Sequence, residues 1–144
     1  MLTRVTFPFR PRHPSPAFRL ADSCDWCALI ESRANVLVTG VAAATDAFLH
    51  QALRHFRTPI QDIACEEGVT ISAPAKTIVL RNVEILNGIE QRTLLDWLDR
   101  LPADRKPQII SQTSAMLYAY VQAQVFDQAL YYRLNSIYLE VLPA

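Results

Sequence analysis

Five short runs rich in β-branched and other apolar residues recur along the chain, and the segments between them carry apolar residues at helical spacing. The runs are "NVLVT" (35–39), "PIQDIAC" (59–65), "TIVLRNV" (77–83), "PQIISQT" (107–113) and "NSIYLEVL" (135–142). Strands alternating with helices imply a mostly parallel sheet with helices on both faces. The unbroken apolar centre of the third run suits a strand covered on both sides. The expected fold is therefore α/β: a three-layer αβα arrangement around a mostly parallel, five-stranded sheet.

The helical segments are readable in the same way. "CDWCALIESR" predicts a short helix, and "TDAFLHQALRHF" (45–56) places Phe48, Leu49, Ala52, Leu53 and Phe56 on one face. In "NGIEQRTLLDWLDRL" Asn87 can cap the helix with Glu90 three residues on, and Leu94, Leu95, Leu98 and Leu101 form the inward stripe. "SAMLYAYVQAQVFDQALYYRL" holds one or two helices.

A chain of 144 residues is long enough to bury a conventional core as one domain. Residues 1–20 read as a proline- and arginine-rich arm, and residues 21–144 as a single core. The arm carries Arg4, Arg10, Arg12 and Arg19 and no acid, which leaves ten basic against fourteen acidic residues in the remainder. Pro8, Pro11, Pro14 and Pro16 break any amphipathic helix there, which argues against a transit peptide. No apolar run has the length of a signal or membrane span, so a cytoplasmic location is expected. Over the whole chain the charges balance, so no strong nucleic-acid or membrane signal is present.

Cys24, Cys27 and Cys65 are odd in number and suit a reducing compartment. "CDWC" has the spacing of a zinc half-site, but a structural zinc needs four ligands, and Cys65, His13, His50 and His55 would have to converge on it. No metal site is expected, and no strand leads into the pair as a redox motif requires. Trp97, Tyr118, Tyr120, Tyr131 and Tyr132 lie at helical spacing, which favours core packing or a subunit interface over a ligand cage. No Ser/His/Asp or Cys/His constellation can be placed.

"VLVTGVAAATDAFL" (36–49) begins as a phosphate-binding loop should, with a strand running into Gly40 and then a helix-forming segment. The pattern G-x-x-x-x-G-K-[ST] then asks for glycine, lysine and a hydroxyl, and the chain offers Thr45, Asp46 and Ala47. Its three glycines, Gly40, Gly68 and Gly88, are few for a protein that cradles phosphate with backbone amides.

"ANVLVTG", "TPIQDIAC", "KTIVLRNVEIL", "QIISQTSAML" and "FDQALYYRLNSIYLEVLP" resemble, in order, the AAA+ domain of sigma-54-dependent transcriptional activators, over roughly residues 34–143. That family hydrolyses ATP in a ring and remodels sigma-54 RNA polymerase. The resemblance implies a P-loop/AAA+ core, and residue by residue it implies lost chemistry. Asp46 stands where the family's lysine would meet the β- and γ-phosphates, and Ala47 where a hydroxyl would hold magnesium. At an effective dielectric near 20, replacing an attraction at ~4 Å by repulsion reverses an energy on the order of 4 kcal/mol.

Arg81 and Asn82 take the places of the acidic pair that positions magnesium and water. Ser114 stands at the sensor position. Asp127 replaces the first arginine of the finger pair, and Arg133 matches the second. Only eleven residues separate Cys65 from Thr77, so the family's polymerase-contacting loop has no counterpart, and the sequence shows neither the helical lid nor a helix-turn-helix.

The implied function is a non-catalytic AAA+-like protein-interaction module, a transcription-regulatory accessory with no ATPase activity and no cofactor. The partner would be a second copy or an intact AAA+ activator. The alternative is an ATP-binding regulator of the sigma-54 interaction family with an altered nucleotide site. Two further questions stay open at the level of sequence. Asp46 and Arg81 either approach each other and fill the emptied site or point into water, and Arg133 either acts as a finger toward a neighbour or bonds an acid of its own chain.

Overall fold

The computed structural model describes residues 3–6, 23–71 and 74–142, with the backbone alone for 3–6 and 23–27. It contains six strands in one sheet: β1 (Thr3–Thr6), β2 (Val36–Thr39), β3 (Ile60–Ala64), β4 (Thr77–Arg81), β5 (Gln108–Thr113) and β6 (Ile137–Val141). Their spatial order is β1-β6-β2-β5-β4-β3. The five strands expected from the sequence pair in parallel. The sixth, β1, lies in the segment read as an arm and adds an antiparallel edge to β6, with Thr3 opposite Val141 and Thr6 opposite Tyr138. Its alternating Thr-Arg-Val-Thr pattern is short, and the neighbouring prolines and arginines hide it. The rest of the arm, residues 7–22, lies outside the described residues.

The helices are α1 (Ser23–Ser32), α2 (Ala42–Ala52), α3 (Gly88–Arg100), α4 (Leu117–Gln122) and α5 (Gln128–Leu134). Strand alternation divides the core into two halves. Leu37, Ile78, Leu80 and Ile109 face one side, where they pack with Leu94, Leu95 and Leu98 of α3 and Leu130 and Leu134 of α5. Val36, Val38, Val79, Ile110 and Leu139 face the other, against Leu29 of α1 and Phe48, Leu49 and Ala52 of α2. The expected three layers are present.

α3 starts with the expected capping box: the Asn87 side chain accepts from the Glu90 amide at 2.8 Å, and the Glu90 carboxylate accepts from the Asn87 amide at 3.1 Å. Asp127 caps α5, its carboxylate accepting from the Leu130 amide at 3.0 Å.

β2 lies between β5 and β6, so the chain leaves it in one direction through α2 and returns later on the other side. In open α/β sheets, the carboxyl end of the strands at such a reversal is where ligands bind. That end carries Gly40, Thr45, Asp46, Ala47, Arg81, Asn82 and Ser114, whereas Arg133 lies toward the opposite end.

Candidate functional site

Only Gly40 and Val41 separate β2 from α2. The sequence places the start of this helix at Thr45, and the structure places it at Ala42. The reason is local: Ala42, Ala43 and Ala44 have the highest intrinsic helix propensity, and no second glycine holds the chain open. The Ala44 and Thr45 amides both donate to the Val41 carbonyl at 3.0 Å. Gly40 has φ +149°, and a Cβ there would stand 2.5 Å from the Val141 carbonyl oxygen of β6.

Thr45 is fully buried in the first turn of α2. Its hydroxyl donates back to the Ala42 carbonyl at 3.1 Å and accepts from Gln112 Nε2 at 3.0 Å. Gln112 lies at the end of β5 and is itself 2% exposed; its Oε1 accepts from the Asn82 amide at 3.0 Å. Asn82 adopts φ +58°, which turns the chain out of β4, and its side-chain amide donates to Glu66. A continuous chain of hydrogen bonds thus runs from α2 through β5 to the ends of β4 and β3.

Above this chain lies a cation with two anionic partners. Arg81, the last residue of β4, donates through Nη1 to Asp46 of α2 at 3.1 Å. It also makes a two-pronged contact with Asp62 of β3, from Nε to Oδ1 at 2.8 Å and from Nη2 to Oδ2 at 2.9 Å. The Asp62 hydrogen bonds, followed by the charges of Asp62 and Asp46, raise the Arg81 pKa further above its ordinary value, although partial burial works against them. The structure therefore brings Asp46 and Arg81 together. Asp62 is the partner that sequence reasoning missed. Its signal is the parallel register, which sets Asp62 opposite Val79 with its carboxylate two residues behind Arg81.

The remaining positions are dispersed. Ala47 and Ser114 are exposed. Asp127 caps α5, and its amide donates to the buried Gln91 side chain at 2.8 Å. Arg133 pairs with Asp99 of α3, an acid of its own chain. Cys65 is buried after β3, and burial, then the nearby Glu66, Glu84 and Glu90, push its thiol pKa up to about 12. Among the described residues no group of three His, Cys, Asp or Glu side chains is arranged to hold a metal ion. The side chains of Cys24, Cys27 and His13 lie outside the described residues.

With this geometry in place, the chain can be set beside known proteins. Residues 26–143 match the Sigma-54 interaction domain family, and the chain belongs to that family. Among solved structures it is similar to NtrX from Brucella abortus in complex with ADP, at 16% identity and a TM-score of 0.61, over 85% of this chain and 37% of that one. The NtrX complex with ATP gives 17% identity and the same TM-score, over 84% and 35%.

The P-loop NTPase domain of the sigma-54 transport activator from E. coli matches at 17% identity and a TM-score of 0.56, over 76% of this chain and 97% of that domain. At these identities the likeness establishes the α/β P-loop fold. This chain spans little more than a third of NtrX. No curated protein matches it in sequence.

Proposed function

We propose that the chain is a non-catalytic AAA+-like interaction module, a cytoplasmic accessory to transcription regulation that works through its surface. The observation that carries this reading is the start of α2 two residues after Gly40, which leaves no loop to wrap a phosphate. A P-loop cradle needs backbone amides free to face the ligand, and those of Ala44 and Thr45 already donate to Val41. Asp46 stands where a lysine is needed, and the cation of the region, Arg81, is held by two carboxylates. The residues present do not fit a magnesium-bound triphosphate.

The surface around this end supports the interaction reading. Val41, Ile85, Ile89, Met116 and Val125 are all exposed, Ile89 and Met116 at 80%. They sit in the segments that follow β2, β4 and β5 and in the turn before α5, so large apolar side chains face outward at one end of the molecule. Exposed apolar surface of this kind marks partner contact sites. A second copy or an intact member of the same family is the expected occupant.

Calorimetry with Mg-ATP tests the first half of the proposal: no micromolar binding that responds to Arg81→Ala or Thr45→Gly is expected. Binding that either substitution strengthens or abolishes would favour the altered nucleotide site. Light scattering after size exclusion tests the second half. Self-association weakened by Ile89→Asp or Met116→Asp is expected if the occupant is a second copy. A strict monomer that also fails to bind an intact sigma-54 activator would overturn it.

A further inference from the structure

The opposite end of the sheet, where the parallel strands begin, carries a groove with a different chemistry. A cavity of about 630 Å³ opens between Trp97 of α3 and the segments that lead into β4 and β5. A second cavity of about 250 Å³ adjoins it, shares Arg33, Lys106 and Pro107 with it, and is lined by Tyr132 of α5. Arg33, Arg57, Lys76, Arg105 and Lys106 line the larger cavity, and Asp104 is its single acid. Among the described residues none of these five cations forms an ion pair. Five cations with no ion-pair partner among the described residues surround one concavity and repel one another, and an anionic ligand relieves that repulsion.

Charge alone would suit several anions, and two further observations narrow the choice. First, each cavity contains one aromatic ring, and both rings are partly buried against the core, so they are held rather than mobile. Second, among the described residues the exposed large apolar side chains follow the carboxyl ends of the strands or their helix starts and none lies at this end, where Ile71, Pro74 and Leu101 line the cavity but are not among them. A lipid surface or a docking protein domain would call for such residues here. Ring faces spaced along a cationic groove are what single-stranded nucleic acid uses, with bases stacking and phosphates following the positive charge.

We propose that this groove binds a short stretch of single-stranded nucleic acid. One base stacks on Trp97 and a neighbouring one on Tyr132, while Arg33 and Lys106, shared by both cavities, hold the phosphates between them. Arg57, Lys76 and Arg105 take the flanking phosphates.

Fluorescence anisotropy of the full chain with a labelled eight-residue oligothymidylate at low salt tests the proposal. Binding should weaken with salt at a log–log slope of about −3.5 if all five cations meet phosphates. Arg105→Glu combined with Lys106→Glu, both at exposed positions, should weaken it by at least tenfold with the fold intact by circular dichroism.

Trp97→Leu should lower affinity roughly tenfold. In a Trp26→Phe background the fluorescence of Trp97 should be quenched by the oligonucleotide. Absence of binding at low salt would overturn the proposal, as would indifference to the charge reversals. Equal affinity for a duplex, an acidic peptide or a single nucleotide would overturn it as well. Arg81→Ala at the far end should leave this binding unchanged, so its outcome is separate from that of the Mg-ATP test.

Discussion

At the carboxyl end of the sheet, acids stand where helices begin. Glu90 is in the first turn of α3, Asp127 caps α5, Asp46 follows in α2, and Glu66, Glu67 and Glu84 lie in the turns after β3 and β4. At the amino end the sign reverses, with Arg54 and His55 after α2, Arg100 at the end of α3, Arg133 in α5, and Arg105 and Lys106 ahead of β5. At α3 and α5 the chain's own side chains therefore complement the helix dipole. In a phosphate-binding relative of this fold, the ligand provides the negative charge at the helix starts. Here carboxylates stand at the starts of α3 and α5, and cations with no ion-pair partner among the described residues gather at the opposite end.

The strongest way to break this contrast is to disturb the turn on which the carboxyl end rests. Gly40→Ala puts a Cβ against the Val141 carbonyl at a positive φ, and a loss on the order of 3 kcal/mol is expected in urea unfolding. Gly68→Ala, also at positive φ but with nothing within 4 Å, should cost about 1 kcal/mol. Equal losses would remove the steric argument.

Two buried glutamines compare the ends directly. Gln112→Leu leaves the part-buried Asn82 amide without its acceptor and removes the donor to the Thr45 hydroxyl, and a loss of about 2 kcal/mol is expected. Gln108→Leu, at the amino end, strips a donor from the Leu29 and Ala34 carbonyls and should cost about 1 kcal/mol, because unpaired carbonyls are better tolerated than unpaired amides. The same denaturation curves read both.

The ionisation of Cys65 gives the carboxyl end a signature in pH. Its thiol stays protonated in the fold up to about 12, whereas the unfolded thiol ionises near 9.0. Above pH 9 the unfolded state gains by losing its proton, so stability falls by up to ~1.4 kcal/mol per pH unit until the folded thiol also ionises. Under reducing conditions, Cys65→Ala should flatten that part of the stability profile relative to the parent chain.

The smallest effect compares ion pairs. Arg81→Ala, which frees two carboxylates, should cost about 1 kcal/mol, and Asp99→Ala, which frees the exposed Arg133, no more than about 0.5 kcal/mol. A double-mutant cycle between Asp46 and Arg81 separates their coupling from that of Asp62.

The sheet was legible in the sequence because its central strands β2, β4 and β5 are buried runs. "TIVL" and "QIISQT" can hardly be anything but central strands, and both are wholly buried. The capping box of α3 was equally plain, since its two residues are adjacent in space and nearly so in sequence. β1 was not legible, because four residues of edge strand have too little apolar surface to stand out from an arginine-rich context.

At the candidate site, the resemblance sets Asp46 and Arg81 at one end of the sheet and leaves their pairing open, and the structure forms the pair. Asp62 could not be placed with them, since its position depends on the register of an edge strand. The charge segregation was hidden for a related reason. Arg57, Lys76 and Lys106 each precede a strand, and Glu66 and Glu84 each follow one, so they alternate along the chain and separate only when the strands align in parallel.

Gly40 is held by the packing of the fold itself, and that gives it a meaning separate from any ligand. The resemblance assigns the family's ligand contacts to positions 45, 46 and 47, where this chain carries Thr45, Asp46 and Ala47. Gly40 lies against the backbone of β6, where no side chain fits. Steric necessity alone would keep a glycine at this position, whether or not a nucleotide binds beside it.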